Sequence, residues 1–282
     1  MSSRPQAPDA QPAGAGPSGA VRITPDGDRR DAFAVEVDGT PQSYVDLGDP
    51  ANLVFEYVRR IGHVADLVAP AGRPITAVHL GGGGMTLPRY IAHTRPGSRQ
   101  QVLENDRDLI AAVRRDLPFP RGAQIRVRCA DARSAASVLP GGMLGAVELL
   151  VVDVFAGART PAALTTVEFF TSLVPLLAPG AAVAVNSADG AGLPFARAMA
   201  ATVARALGPV VVLAEPGVLK GRRFGNVVLV TGDVDQQQLA RRVAGDPFPA
   251  TALGGARFAS GARVRTDADA GDSPAPPTGL FG

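Results

Sequence analysis

Tryptophan is absent from this 282-residue chain, and aromatic residues make up only 5% of it, so broad stacking surfaces are not to be expected. Cysteine occurs once, at Cys129, which excludes an internal disulfide. Its place in the alternating run IRVRCAD leads us to expect a small buried thiol. No apolar run approaches the roughly 20 residues of a membrane helix. The best, VELLVVDVF, is about half that length and is interrupted by Asp153. The N-terminus has no hydrophobic signal core. A formal net charge of +2, with 28 basic residues scattered along the chain, indicates no nucleic-acid or membrane-surface partner. Basic strips interleaved with aromatics are missing as well. His63, His79 and His93 are too dispersed for a zinc site, and there is neither a nucleophile elbow nor a phosphate-binding lysine motif. The expectation is a soluble cytoplasmic protein acting on a small molecule or a peptide.

Hydrophobic residues form 46% of the sequence, enough for one large core or two modest ones. Residues 1–20 are rich in Pro, Gly, Ala and Ser without apolar period, and disorder is expected there. Residues 21–70 read as a small N-terminal unit. In it AFAVEVDGTPQSYVDL alternates on both sides of Asp38-Gly39, the pattern of a β-hairpin, so Gln42 and Tyr44 share one face and Ser43 and Val45 the other. A helix follows with Leu53, Tyr57, Ile61, Val64 and Val68 on one stripe, predicted to pack the hairpin on the main domain.

From residue 71 to 245, strand and helix patterns alternate, with strands near 75–80, 100–105, 125–129, 147–153, 181–186, 210–215 and 226–231. Such alternation predicts an α/β fold, a doubly wound, seven-stranded, mostly parallel sheet covered on both faces. PGVLKGRRFG between the last two runs is too short for a crossover helix, so these should pair antiparallel. This is the class I methyltransferase arrangement. Residues 246–282 read as an extended or partly disordered tail, which Phe248, Leu253, Phe258 and Val264 are available to tether.

The chain is organised around ITAVHLGGGGMTLPRYIAHTRPGSRQQVLEND, Ile75 to Asp106. An apolar strand enters Gly81–Gly84, a helix-like segment follows, and a second strand ends in Glu104, 23 positions after Gly81. Glycines at the first turn would let a ligand approach the backbone, and an acid roughly 20 residues on can accept both hydroxyls of a ribose. The pattern reads as a nucleotide or nucleoside site. The bland alternative is a flexible turn with Glu104 merely solvated. Parallel sheets bind ligands at their carboxyl edges, where Glu104, Asp106, Asp131 and Asp153 all fall. Asp106 can instead cap the helix after it, and Asp131 is open between accepting from an adenine amino group and capping. Asp153 ends a buried strand, where a carboxylate is costly without a partner or a function.

VDGTPQSYVDL, the helix with FEY, VHLGGGGMTLPR, VLEND, CADA, VVDVFAG and TTVEFF together resemble, in order and spacing, the spermidine synthases, which are polyamine aminopropyltransferases. The resemblance spans about residues 33–232, and the tail ending SPAPP is similar to that of actinobacterial members. It implies a class I S-adenosylmethionine-dependent methyltransferase fold preceded by a small β-domain, and a homodimer or homotetramer. It also implies that Gln42 contacts the donor's sulfur side chain, Gly81, Gly82 and Gly83 form the donor loop, Glu104 holds ribose, and Asp131 with Ala132 lies at adenine. Asp153 matches the first aspartate of the D-x-x-D-P motif, which orients and deprotonates the attacking amine.

Two acids of that pattern are missing. The second motif aspartate, a polyamine ligand, falls at Ala156. The acid that holds the amine of the decarboxylated donor falls at Gly83. The nucleoside half of the pattern is kept and the amine half is not. The expected donor is therefore intact S-adenosylmethionine, whose carboxylate an acid in the glycine loop would repel, with methyl the group transferred. One alternative is aminopropyl transfer from decarboxylated S-adenosylmethionine, with Glu56, Asp46 or Asp189 replacing the missing acids. Another is a non-catalytic nucleoside-binding scaffold.

Overall fold

The computed structural model describes residues 19–277. The disorder expected for residues 1–20 thus falls, apart from Gly19 and Ala20, outside the described residues. In chain order come strands β1 (Val21–Pro25), β2 (Ala32–Val37) and β3 (Thr40–Asp46), then helix α1 (Glu56–Leu67). An alternating stretch follows: β4 (Thr76–Leu80), α2 (Thr86–Thr94), β5 (Arg99–Glu104), α3 (Arg107–Asp116), β6 (Gln124–Cys129), α4 (Ala135–Val138) and β7 (Val147–Val152). The remainder is α5 (Val167–Leu173), β8 (Leu177–Asp189), α6 (Pro194–Leu207), β9 (Val210–Ala214), α7 (Pro216–Leu219), β10 (Gly225–Thr231), α8 (Gln236–Ala244), β11 (Thr251–Gly254) and α9 (Gly255–Phe258).

The main sheet has the order β11-β9-β10-β8-β7-β4-β5-β6, one strand more than the sequence predicts. β7, β4, β5, β6 and β8 run parallel. β10 inserts antiparallel between β8 and β9, as the short Gly-rich connection requires. The extra strand is β11, whose TALG pairs antiparallel with β9 and so covers what would otherwise be an open edge. Four residues among glycines and prolines carry too little alternation to announce a strand.

Apolar side chains fill both faces of the sheet. Phe169 and Phe170 of α5 and Met199 and Val203 of α6 cover one face, and Ile61 and Val64 of α1 with Leu239 and Val243 of α8 cover the other. α1 thus packs under the main sheet. The N-terminal unit is a three-stranded antiparallel sheet, β1-β2-β3, a strand more than the hairpin expected. It rests on α3 and the glycine loop through Val35, Val45, Met85, Leu109 and Val113. Its turn is the expected one, with Asp38 and Gly39 both at positive φ (50° and 73°), the backbone twist that two-residue hairpins favour. Cys129 is exposed, contrary to the expected burial, because β6 is an edge strand. Among the described residues no helix is long and apolar enough to cross a membrane.

Candidate active site at the switch point of the sheet

The chain leaves β4 toward β5 and β6 on one side and returns to β7 and β8 on the other, so a crevice opens where the carboxyl ends of β4 and β7 meet. There the backbones are in contact. Asp153 N–H donates to Leu80 O at 2.8 Å, and Gly81 N–H donates to Leu103 O of β5 at 2.8 Å.

The protein's own packing calls for glycine at three of these four positions, Gly81, Gly83 and Gly84. Gly81 has φ 88°, and a Cβ on it would lie 1.9 Å from the backbone oxygen of Asp153. A Cβ on Gly83 would lie 2.5 Å from Ser43 Oγ, and one on Gly84 2.7 Å from a methyl of Val45, both on β3. Gly82 would meet the side-chain end of Met85 at 2.6 Å. Sequence reasoning assigned these glycines to ligand approach. The structure adds a second demand on them, a loop clamped between the N-terminal sheet and the end of β7, an arrangement that Gly84 N–H completes by donating to Ser43 Oγ at 2.8 Å.

Glu104 ends β5 beside this loop. Its Oε2 accepts from Gly82 N–H at 2.8 Å and from Gly83 N–H at 3.3 Å, and its Oε1 accepts from Asp106 N–H at 3.0 Å. The solvated-acid alternative is therefore not what the fold contains: this carboxylate organises the loop. Asp106 caps α3 by accepting from Asp108 N–H and Leu109 N–H. Asp131 caps the turn Ala132–Ser134, its Oδ1 accepting from Arg133 N–H at 2.7 Å. Ala132 is buried beneath it. These two lie two strands out from the crevice, at the end of β6.

Asp153 is the chemically distinctive group. Its Oδ1 accepts from Asn186 Nδ2 at 3.0 Å, and the Tyr57 hydroxyl donates to the same carboxylate. Burial pushes its pKa up to about 6 against those two hydrogen bonds, with the charge of Glu104 adding to the rise. Burial, with Asp153 and Glu56 nearby, holds Tyr57 well above the ordinary phenol range, so it stays a donor. Tyr57 packs against the core with the stripe of α1, as expected, and also reaches the site with its hydroxyl. His79, under the loop, is pushed down to about 4 by burial and bonds Gln100 Oε1 at 3.0 Å, so it is neutral.

Beside Tyr57 and Asn186 opens a cavity of about 290 Å³, at the small end for ligand sites. Gln42, the extra residue of a bulge in β3 that breaks the expected alternation with Tyr44, is at its wall, with Phe55, Phe155 and Phe224 supplying apolar surface and Pro276 closing one side. Of the three acids considered as replacements, only Glu56 lines this cavity. Asp46 is engaged by Arg29, Asn52 and the N–H groups of Gly48 and Asp49, and Asp189 accepts from Gly190 N–H and Ala196 N–H.

The tail contributes to this site. After α9 it runs without regular structure across α6 and α5, with Arg265 N–H on Thr202 Oγ1 and Val167 N–H on Arg265 O, both at 2.9 Å. Ser273 then exchanges two hydrogen bonds with Thr160, and Asp272 accepts from Ala162 N–H, which pins the loop after β7. Phe258 is buried and Leu253 packs against the core, whereas Phe248 is 55% exposed and tethers nothing. A polar Asn186 within the apolar strand AAVAVNSAD was the one signal from which a missed site residue was readable.

Scans against family models and against curated proteins gave no match. Among solved structures, the fold is similar to human methyltransferase-like protein 13 in complex with SAH (TM-score 0.51, 17% identity, 66% of this chain and 87% of that one). It is also similar to spermidine synthase from Thermotoga maritima (TM-score 0.56, 15% identity, 81% and 76%). Those two likenesses concern the fold alone. A probable spermidine synthase from Corynebacterium glutamicum matches at TM-score 0.80 and 33% identity over 92% of this chain and 97% of that one. With that identity sustained along nearly its whole length, the chain belongs to the spermidine synthase-like family.

Proposed function

We propose that this chain is a transferase using an S-adenosyl sulfonium donor, and that it transfers methyl from intact S-adenosylmethionine to a small acceptor. The observation that carries the choice of donor is Gly83. The family's acid toward the donor amine falls at this position, and here the backbone has φ 50° and the space of a side chain is filled by Ser43 of β3. Nothing anionic projects from the loop at that point to repel the donor's carboxylate. Asp153 would hold the acceptor and take its proton. The acceptor's lone pair then forms the bond to the methyl carbon as the carbon–sulfur bond breaks, its electron pair going to sulfur. Tyr57 and Asn186 fix the carboxylate, and its pKa of about 6 suits a base at neutral pH. Gln42, Glu104, Asp131 and Ala132 would bind the nucleoside, with the Gly81–Gly83 backbone beside them. Aminopropyl transfer from the decarboxylated donor is the second reading, favoured by the 33% identity to a probable spermidine synthase.

Isothermal titration with both donors separates these readings. Tight intact donor and weak decarboxylated donor supports methyl transfer, the reverse supports aminopropyl transfer, and no binding of either leaves a scaffold. In the same titration Glu104→Gln should weaken the donor by roughly 1 to 3 kcal/mol, because a neutral amide replaces a charged acceptor. Equal losses for parent and variant with a 2′,3′-dideoxy analogue would remove ribose as the partner of Glu104.

A further inference from the structure

The cavity beside Asp153 has a charge pattern that specifies its occupant. Among the described residues lining it, Glu56 is the one charged side chain, and it is already engaged. Its Oε1 accepts from Asn226 Nδ2 at 2.9 Å and lies 3.9 Å from the guanidinium of Arg60. Arg60 is 1% exposed, and its Nε and Nη1 have no hydrogen-bond partner, so its positive charge acts on Glu56 with little screening by water. Arg60 also pairs with Glu215 at 3.3 Å, and Glu215 with Arg223. Glu56, Glu215, Arg60 and Arg223 therefore form a chain of ion pairs behind this wall, with Asp246 also within reach of the Arg60 charge.

Most of the remaining surface is apolar, and its polar side chains, Thr40, Gln42, Asn186 and Asn226, are uncharged. The rings of Phe55 and Tyr57 meet at 6.2 Å between centroids and 38° between planes, forming a corner, and Phe155 and Phe224 add further walls. Asp153 does not itself line the cavity but stands behind Tyr57 and Asn186, which both line it and both donate to the Asp153 carboxylate. We infer that the acceptor is a monoamine carrying an apolar or aromatic body, and not a diamine: its one nitrogen sits at Asp153 and its body on the phenylalanines. A second ammonium group would lose its water against aromatic rings and find, in return, only uncharged amide and hydroxyl groups and a carboxylate already paired with Arg60. This inference rests on the transferase reading above and narrows its substrate class.

The test uses 2-phenylethylamine and 1,4-diaminobutane as probes, each titrated into the full-length protein saturated with S-adenosylhomocysteine. The monoamine should bind at least tenfold more tightly. Phe224→Ala should weaken it fivefold or more with nucleoside affinity unchanged. Arg60→Gln, by releasing Glu56, should raise diamine affinity at least threefold, with the gain shrinking as salt rises. Tighter binding of the diamine by the parent protein, or binding of neither amine, overturns the inference while leaving the transferase reading intact. Failure of S-adenosylhomocysteine to bind at all overturns both.

Discussion

Asp153→Asn should lower methyl transfer to 2-phenylethylamine by about 10²- to 10⁴-fold, the contribution of a positioned general base, with donor affinity little changed. The amide keeps the shape, its oxygen can still accept from Asn186, and its NH2 can donate to the Tyr57 oxygen, so what is removed is the capacity to take a proton. The pH dependence gives an independent reading. Because burial raises this carboxyl to about 6, turnover of the parent should climb as pH rises through that value, and the climb should be missing from the residual rate of the variant. Stability should move the other way. Between the unfolded carboxyl value near 3.8 and the folded value near 6, the native state holds a proton that the unfolded state has lost, so raising pH through this window destabilises the fold. Above it the full penalty of a buried carboxylate is present. Asp153→Asn should therefore melt higher than the parent at pH 7.5, with the difference shrinking toward pH 4. A variant with full turnover, or one that melts lower at pH 7.5, would remove Asp153 from the role of base held at a cost to the fold.

The parts of this site that were legible in the sequence are those made by one strand and the residue after it. Parallel strands buried on both faces read as continuous apolar runs, and an acid directly after such a run, as at Glu104 and Asp153, must stand on the carboxyl edge. Gln42 was legible only through the family resemblance, since a bulge opposite Val35 and Glu36 breaks the hairpin's alternation at this residue. What was not legible is whatever depends on segments far apart in the chain. The need for glycine at Gly83 comes from Ser43 on another sheet, and at Gly81 from the carbonyl of Asp153. Tyr57 fits a helical stripe equally well as core or as site. Only the position of α1 against β8 and β10 decides that it reaches Asp153. Pro276 stands in a segment with no period, and its place at the cavity follows from hydrogen bonds of Ser273 and Asp272 to the loop after β7.

Gly81→Ala should be the most damaging single methyl that can be added to the loop. At φ 88° any L side chain is strained, by about 1 to 2 kcal/mol, and here the new carbon would also sit 1.9 Å from Asp153 O and 2.8 Å from Asp153 C. Neither neighbour can yield. Gly81 is held to β5 through Leu103 O, and the Asp153 peptide is held to β4 through Leu80 O, each at 2.8 Å. Relief requires parting the ends of β4 and β7, which adds the cost of overpacking, so the total should reach about 3 to 5 kcal/mol in urea unfolding. Gly82→Ala meets instead the flexible end of Met85 at 2.6 Å, with the nearest methyl of Val102 at 3.1 Å, and a rotation of Met85 accommodates most of it. The two variants discriminate between explanations of the glycine run. If the glycines exist to admit a ligand, both proteins should be stable and both should lose S-adenosylhomocysteine. If they exist so that the loop can close on β3 and β7, Gly81→Ala should be far less stable while Gly82→Ala stays folded and still binds the nucleoside. A Gly81→Ala protein as stable as its parent would show that the contact between β4 and β7 at the base of this crevice is not what the first glycine serves.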